Sequence, residues 1–319
     1  MPRSFKAASD LAVGLANAAY LANERTAHAA WLAIALERPL LVEGPAGVGK
    51  TDLARALSEA LERPLVRLQC YEGLDESKAL YDWDYGKQIL YAQLLRDALL
   101  PNANGAGSDA SATGSKKSAR ELIDSIDGGA LFSEPFLLRR PLLAALTADE
   151  PVVLLIDEVD RADPEFEAFL LELLGEFQIT IPEIGTFRPK TPPIVILTTN
   201  ATREMTDALR RRCFHLFLDV PSPPAEEAIL KKKIPNLGAD LAKSISEFAA
   251  KLRKLDLEKS PSIAETIDWA RAIILLGGQA LERGVADATL GVLLKHEGDR
   301  TRVSALVDKL PDGNASGAV

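Results

Sequence analysis

Residues 39–51 constrain this chain more than any other stretch, because an apolar run leads there into a glycine-rich turn. The residues are Pro39-Leu-Leu-Val-Glu-Gly-Pro-Ala-Gly-Val-Gly-Lys-Thr51, and a helix-forming run follows at 52–61. A strand, a glycine-rich loop and a helix in this order form the setting in which the pattern G-x-x-x-x-G-K-[ST] cradles phosphates. The alternative is a glycine-rich turn that carries an unrelated lysine.

The glycine-rich loop predicts a site for nucleotide phosphates. Its backbone N–H groups can converge on phosphate oxygens, and the helix that follows adds the positive end of its dipole. Lys50 would reach the β- and γ-phosphates, and the Thr51 hydroxyl would ligate Mg²⁺. We therefore expect ATP and Mg²⁺ as cofactors. The predicted binding residues are Gly44, Pro45, Ala46, Gly47, Val48, Gly49, Lys50, Thr51, Asp52 and Asp157, with Thr51 and Asp157 as metal ligands.

Apolar runs alternate with helical patterns up to residue 220, which predicts an α/β fold. The expected strands are 40–43, 65–70, 151–158, 193–200 and 214–220. Their continuous apolar character suits a parallel five-stranded sheet covered by helices on both faces. A helical region at 8–38 precedes the sheet, a hairpin is expected at 178–189, and Asp163 should cap a helix that begins at Pro164.

The cluster Pro221-Ser-Pro-Pro224 marks a domain boundary, after which only helices are expected. They fall near 225–233, 238–257, 262–276 and 285–295. The predicted organisation is an N-terminal tail, an α/β core, a smaller all-helical lid domain and a C-terminal tail. The corresponding ranges are 1–11, 12–222, 223–302 and 303–319, with a flexible loop at 101–118 inside the core.

Residues 71–99 hold four of the five tyrosines of the chain. This concentration predicts either a local core or a surface that faces a partner. Both interpretations stay open at the level of sequence.

Three polar groups end predicted strands, at the edge where parallel α/β sheets bind ligands. Asp157 could reach a metal ion held by Thr51, and Glu158 is the candidate to polarise an attacking water. Asn200 could hydrogen-bond the γ-phosphate or that water. The alternatives are an acidic pair that caps a helix and an asparagine that forms a turn.

Arg210-Arg211-Arg212 precedes the last predicted strand. An arginine presented to the γ-phosphate of a neighbouring subunit would act as an arginine finger. Cations that favour a helix C-terminus are the alternative explanation for one or two of the three.

These elements resemble the Walker A, Walker B, sensor 1 and arginine-finger motifs of AAA+ ATPases. They are carried by Gly44–Thr51, Val153–Glu158, Ile194–Asn200 and Arg212-Cys213. The aromatic segment and the hairpin at 178–189 are similar to the helix-2 insert and pre-sensor hairpin of the MoxR group. Within that group, the runs at 71–76 and 81–88 resemble the subgroup associated with carbon monoxide dehydrogenase maturation.

The resemblance implies ATP hydrolysis by a ring, usually a hexamer, with nucleotide between subunits. It also implies a partner with a von Willebrand A domain and a role in remodelling a metalloenzyme or inserting its cofactor. By the family pattern the finger falls on Arg212, with Arg211 as runner-up, and Tyr20, Leu21 and Ala22 are candidates for the adenine pocket. The family's lid arginine, sensor 2, is absent from Ser260–Thr266, and Arg271 is the nearest substitute.

Two other functions remain as alternatives, a nucleic-acid-remodelling AAA+ motor and a P-loop kinase of small molecules. A net charge of −9 and a pI near 5.1 argue against non-specific binding to nucleic acid. No apolar run approaches the roughly 18 residues that span a bilayer. Two cysteines without metal-ligand spacing predict reduced core thiols, and a cytoplasmic location is expected.

Overall fold

The computed structural model describes residues 5–99 and 131–312. The predicted parallel sheet of five strands is confirmed, and its strands are β1 (Leu40–Glu43), β2 (Leu65–Gln69), β5 (Val153–Asp157), β8 (Ile194–Thr199) and β9 (Phe214–Phe217). Their order across the sheet is β2-β5-β8-β1-β9, and all neighbours are parallel. The carboxyl ends of all five strands therefore lie at one edge of the sheet.

Helices cover both faces of this sheet, as its apolar strands require. They are α1 (Ala8–Asn17), α2 (Glu24–Ala35), α3 (Lys50–Leu61), α6 (Pro141–Leu146), α7 (Pro164–Glu176) and α8 (Asp207–Arg212). One buried cluster contains Leu11, Leu53 and Ile196, and the cluster on the other face contains Leu142, Leu154 and Leu170. The interior of the α/β part is thus split by the sheet into two apolar layers.

The helical region predicted at 8–38 consists of the two helices α1 and α2. Ala19, just after α1, takes a left-handed φ of 56°, and the side chain of Asn23 accepts a hydrogen bond from the Thr26 backbone to cap α2. The sequence pattern stays apolar across this break because both helices pack against the same layer. The break matters, because six of the residues at 19–26 line the cleft described below: Ala19, Tyr20, Leu21, Asn23, Arg25 and Thr26.

The aromatic segment at 71–99 has both buried and exposed aromatic side chains. It forms α4 (Glu76–Ala79), β3 (Tyr81–Trp83) and α5 (Tyr85–Leu99), and β3 pairs with β4 (Leu137–Arg139). Trp83 is buried and packs edge-to-face against Tyr81 and Phe132. Tyr71, Tyr85 and Tyr91 are exposed. The segment therefore has a small core of its own and an aromatic outer face.

Two local predictions near α7 have different outcomes. The hairpin is confirmed as β6 (Ile179–Ile181) paired with β7 (Gly185–Phe187). The Asp163 side chain does not cap α7, because its carboxylate accepts a hydrogen bond from the backbone N–H of Gly73 instead. Asp163 thus ties the start of α7 to the loop after β2.

The residues after 222 form the predicted helical region. Its helices are α9 (Pro223–Lys233), α10 (Ala239–Leu252), α11 (Ile263–Leu275), α12 (Arg283–Leu293) and α13 (Glu297–Val307). Helix α13 was not expected; it crosses residue 303, where the sequence suggested a tail, and it buries Val303 and Val307. A fully buried Glu226 paired with Arg253 at 2.6 Å joins α9 to the end of α10. We call these five helices the lid.

The loop predicted at 101–118 lies outside the described residues. None of the helices in the described ranges is long and apolar enough to cross a membrane. Cys70 and Cys213 are both buried and free, and burial raises the pKa of each thiol to about 12.

Candidate functional site

The glycine-rich loop between β1 and α3 has the backbone that its sequence predicts. Gly47 and Gly49 have φ values of 74° and 100°, which lie in the region that side chains disfavour. The loop ends where α3 begins, at Lys50, so the unpaired N–H groups of the first helical turn face the same space. This geometry can hold an anionic phosphate chain.

The ammonium of Lys50 lies in a ring of oxygen atoms. Its Nζ donates to the carbonyls of Gly44 and Pro45 at 2.7 and 2.8 Å, and to the side-chain oxygen of Asn200 at 2.7 Å. Burial lowers the pKa of the ammonium, and the nearby carboxylates of Asp160, Asp157 and Glu158 act in the opposite direction. These carboxylates favour the charged form that a phosphate would meet.

Thr51 and Asp157, which were predicted to ligate one metal ion, are in hydrogen-bond contact. The Thr51 hydroxyl lies 3.1 and 3.2 Å from the two carboxylate oxygens of Asp157, which is almost fully buried at the end of β5. The Thr198 hydroxyl donates to the same carboxylate at 2.5 Å. A hydroxyl beside a carboxylate is a set of hard oxygen donors that fits Mg²⁺.

Glu158 leaves the strand in a different direction from Asp157. Its φ of 56° and ψ of 51° place a non-glycine residue in the left-handed region, at a cost of roughly 1–2 kcal/mol. Its backbone N–H donates to the Thr198 hydroxyl at 2.8 Å, and its carboxylate accepts from Gln69 at 3.1 Å and Arg161 at 3.2 Å. Such strain at the end of a buried strand is typical of functional sites.

Asn200 is held by its backbone as well as by Lys50. Its N–H lies 3.3 Å from both carboxylate oxygens of Asp160, and the same carboxylate accepts from the N–H of Thr202 at 3.0 Å and its hydroxyl at 2.6 Å. Asp160 is buried in a 3₁₀ turn just after Glu158. The turn after β5 therefore fixes the loop after β8.

Four residues that touch this site were missed at the level of sequence: Arg67, Gln69, Thr198 and Asp160. Arg67 and Gln69 alternate along β2, and Arg67 donates to Asp157 at 2.6 Å. The available signal was two polar residues, two positions apart and so on the same face of an otherwise apolar strand. Thr198 gave a weaker signal, because threonine is common in strands.

A cleft of about 810 Å³ lies between this edge of the sheet and the lid. It is lined by the glycine-rich loop, by Asp157, Glu158 and Asn200, and by Tyr20 and Leu21. Ala22 packs against the sheet core instead. The predicted adenine-pocket residues are thus divided between the cleft and the core.

The lid meets the glycine-rich loop directly. The backbone N–H of Ala264, at the start of α11, donates to the carbonyl of Gly47 at 3.2 Å. Lys233 of α9 lies 2.7 Å from the Asp52 carboxylate on α3. Arg271 lines the cleft and pairs with Asp268 at 3.2 Å.

Arg211 and Arg212 are not brought to the other predicted site residues. Both are exposed at the C-terminal end of α8 and do not line the cleft. The Arg38 side chain donates to the Arg211 carbonyl at 2.7 Å and the Arg212 carbonyl at 3.4 Å. Within one chain their position fits either the helix-end explanation or presentation to a neighbour.

This fold and this site together define a P-loop domain followed by a helical lid. Residues 25–182 match the family model described as "AAA ATPase domain". The predicted AAA+ motifs in this span therefore have support that does not depend on the structure.

Two relatives of similar length carry the description "Uncharacterized protein". One from Staphylococcus aureus (strain USA300) is 26% identical over 245 residues, which covers 75% of this chain and 76% of the relative. One from Staphylococcus saprophyticus is 26% identical over 273 residues, which covers 83% and 87%. A solved structure of a Thermotoga maritima RuvB mutant aligns over 95% of this chain and 78% of its own, with 16% identity and a TM-score of 0.49.

Proposed function

We propose that this protein is a MoxR-type AAA+ ATPase that hydrolyses ATP to remodel a protein client. The observation that carries the proposal is the junction of Lys50 with Asn200 beside the Thr51–Asp157 pair. Four parts of a phosphoryl-transfer site from three separate strand ends thus meet beneath a lid. A binding module without turnover would not need Glu158 and Asn200 at the same edge.

Each residue has one task in the proposed mechanism. Lys50 and the N–H groups of the glycine-rich loop bind and orient the β- and γ-phosphates. Thr51 and Asp157 would hold Mg²⁺, which supplies charge neutralisation at the phosphates when bound. Glu158 accepts a proton from the attacking water and keeps it in line, and Asn200 hydrogen-bonds the γ-phosphate or that water.

We further propose that Arg212 completes the site of a neighbouring subunit, with Arg211 as the alternative. Both lie on the surface, away from the cleft of their own chain. A finger that acts between subunits needs this placement, and it makes hydrolysis depend on a ring, which we propose to be a hexamer. The carbonyl contacts from Arg38 fix the end of α8 that would present the finger.

The client and partners follow from the resemblance of the aromatic segment. We propose a metalloenzyme client and a partner with a von Willebrand A domain, in the cytoplasm. The exposed tyrosines Tyr71, Tyr85 and Tyr91 support a partner-facing role for this segment, because exposed aromatic side chains are enriched where proteins bind one another.

The proposal is tested with two variants that separate binding from turnover. Lys50→Ala should lose nucleotide binding, because the neutral side chain leaves the phosphate charge uncompensated. Glu158→Gln should bind ATP and retain it, because the amide accepts no proton from water. Lys190→Ala, which changes an exposed lysine, is the matched control. The readouts are equilibrium binding of a fluorescent nucleotide and release of phosphate.

A Glu158→Gln variant that turns over at the wild-type rate would exclude Glu158 as the base. The same protein, held in its ATP state, can be used to capture the client. Stimulation of wild-type hydrolysis by DNA would favour the nucleic-acid motor, and a phosphorylated metabolite in place of free phosphate would favour the kinase.

A further inference from the structure

Arg67 occupies a position that the proposed mechanism does not use. It lies on the edge strand β2, next to β5, and its guanidinium donates to Oδ2 of Asp157 at 2.6 Å. The Asp157 side chain is only 3% exposed, whereas that of Arg67 is 51% exposed. A cation that can reach water is therefore bound to the buried carboxylate that we assign to the metal ion.

The other contacts of Asp157 come from neutral groups. They are the hydroxyls of Thr51 and Thr198. Among the described residues, Arg67 is thus the charged group in hydrogen-bond contact with this carboxylate. A buried carboxylate needs nearby positive charge, and Arg67 adds a direct ion pair to the longer-range attraction of Lys50. Arg67 therefore stabilises the chain when no divalent cation is present.

The Arg67 guanidinium also connects the two carboxylates of the site. The same Nη2 atom donates to the side-chain oxygen of Gln69 at 2.5 Å, and the Gln69 amide donates to Glu158 at 3.1 Å. Loss of the contact between Arg67 and Asp157 would free one end of this chain of hydrogen bonds. A change in the contacts of Asp157 can in this way alter the position of Glu158.

We propose that Arg67 is an internal counter-ion that competes with the divalent cation for Asp157. Binding of the cation repels the guanidinium, which moves into the adjacent solvent and releases Gln69 from its fixed position. Arg67 thus sets the metal affinity of the site, as a positioning residue that touches neither the nucleotide nor the attacking water. This inference rests on the proposed function, since it assumes a metal–nucleotide site at Asp157.

The test measures metal binding in place of activity. ADP is mixed with an excess of protein so that it is bound, and the complex is titrated with Mn²⁺. The concentration of free Mn²⁺ is measured by electron paramagnetic resonance. Arg67→Met should lower the Mn²⁺ dissociation constant about tenfold, the order expected when one unit charge leaves a partly screened site. Arg67→Lys keeps the charge and should stay near the wild-type value. Arg139→Met is the matched control, because Arg139 is a half-exposed arginine paired with Glu134 at 2.6 Å.

Two failures can be told apart by ADP binding measured in EDTA. An Arg67→Met protein that binds ADP normally but binds Mn²⁺ equally well or more weakly overturns the counter-ion role alone. The same result for Arg67→Lys as for Arg67→Met would show that charge is not the cause, and it also overturns the proposal. A wild-type protein that binds no ADP overturns the proposed function, and this inference with it.

Discussion

The side-chain oxygen of Asn200 lies 2.7 Å from the ammonium of Lys50, although 150 positions separate the two residues in the chain. The strand order accounts for this contact, because β1 and β8 are parallel neighbours whose last residues pair Glu43 with Thr199. Each strand then delivers the first polar residue beyond its end to the same point. The Lys50 ammonium donates there to three oxygen acceptors, which phosphate oxygens can replace.

Asn200→Ala should slow hydrolysis much more than it weakens nucleotide binding. Lys50 keeps its two carbonyl contacts, so the phosphates still meet a fixed cation. The lost amide leaves the transferring group without one oriented partner, and removal of such a group costs roughly 10²-fold in kcat. Steady-state hydrolysis and nucleotide affinity are measured side by side. Asn236→Ala, on an exposed turn of the lid, is the control, and equal kcat in the two variants would contradict a role for Asn200.

Asp160→Asn should destabilise the protein by about 2 kcal/mol at pH 7, because a buried acceptor of three donors is replaced by a group that accepts fewer. Burial alone would raise the pKa of Asp160, but the hydrogen bonds from Thr202 and Asn200 outweigh it and lower the pKa below 3.8. Because the pKa is lower in the folded state, the ionised Asp160 stabilises the fold at pH values above the unfolded-state pKa of 3.8. This stabilisation is lost as the pH falls below 3.8 through the folded-state pKa.

The difference in unfolding free energy between wild type and Asp160→Asn should therefore shrink from pH 7 to pH 3. Denaturant unfolding at the two pH values measures it. Asp149→Asn serves as the control, because Asp149 is an exposed carboxylate with one weak ion pair. A difference that stays constant between pH 7 and pH 3 would show that the charge of Asp160 does not matter.

Much of this arrangement could be predicted because its signals are local. The glycine-rich loop, the two carboxylates at the end of β5 and the asparagine after β8 each stand at the end of an apolar run. Parallel strands must end at one edge, so their proximity follows from fold class. The prolines at 221–224 and the helical patterns that follow indicated the lid region.

The parts that sequence missed depend on which strands are neighbours. Arg67 touches Asp157 only because β2 lies next to β5, and no local pattern states that order. In the sequence Asp160 is one more acidic residue of a turn. Its role as an acceptor for Asn200 and Thr202 is visible only in the folded structure, where the loop after β8 lies over it. Asp163 shows the same limit, since a tertiary N–H from Gly73 replaced the expected local cap.

Arg212→Ala should abolish hydrolysis and leave nucleotide binding intact, because its guanidinium lies away from the cleft of its own chain. Mixing this variant with Lys50→Ala gives a sharper test of action between subunits. Some interfaces in a mixed ring combine an intact Lys50 site with an intact Arg212 from the neighbour, so part of the activity should return.

The control for the mixing experiment is the same mixture made with Glu158→Gln and Lys50→Ala. Lys50 and Glu158 act in the same subunit, and no subunit of this mixture carries both residues intact. The control mixture should therefore regain no activity. An Arg212→Ala protein that hydrolyses ATP normally would exclude this residue as the finger, and Arg211→Ala would then be tested in the same way.

Gly47→Ala should loosen the contact between the glycine-rich loop and the lid. A Cβ at this position would lie 2.4 Å from Oγ and 2.6 Å from Cβ of Ser262, and the φ of 74° disfavours any side chain. The start of α11 must then move, and the hydrogen bond from Ala264 to Gly47 is lost. We expect a loss of about 1–3 kcal/mol in stability and weaker nucleotide binding.

Ser262→Gly provides the matched second change, because it removes both clashing atoms and glycine is accepted as a helix N-cap at a cost of a few tenths of a kcal/mol. The double variant Gly47→Ala/Ser262→Gly should therefore be more stable than the sum of the single losses predicts, by about 1 kcal/mol. Gly284→Ala combined with Ser262→Gly is the control pair and should be additive, since a Cβ at Gly284 meets open space. Denaturant unfolding and nucleotide affinity give the two readouts. Additive losses in the Gly47 pair would mean that Ser262 does not press on the loop.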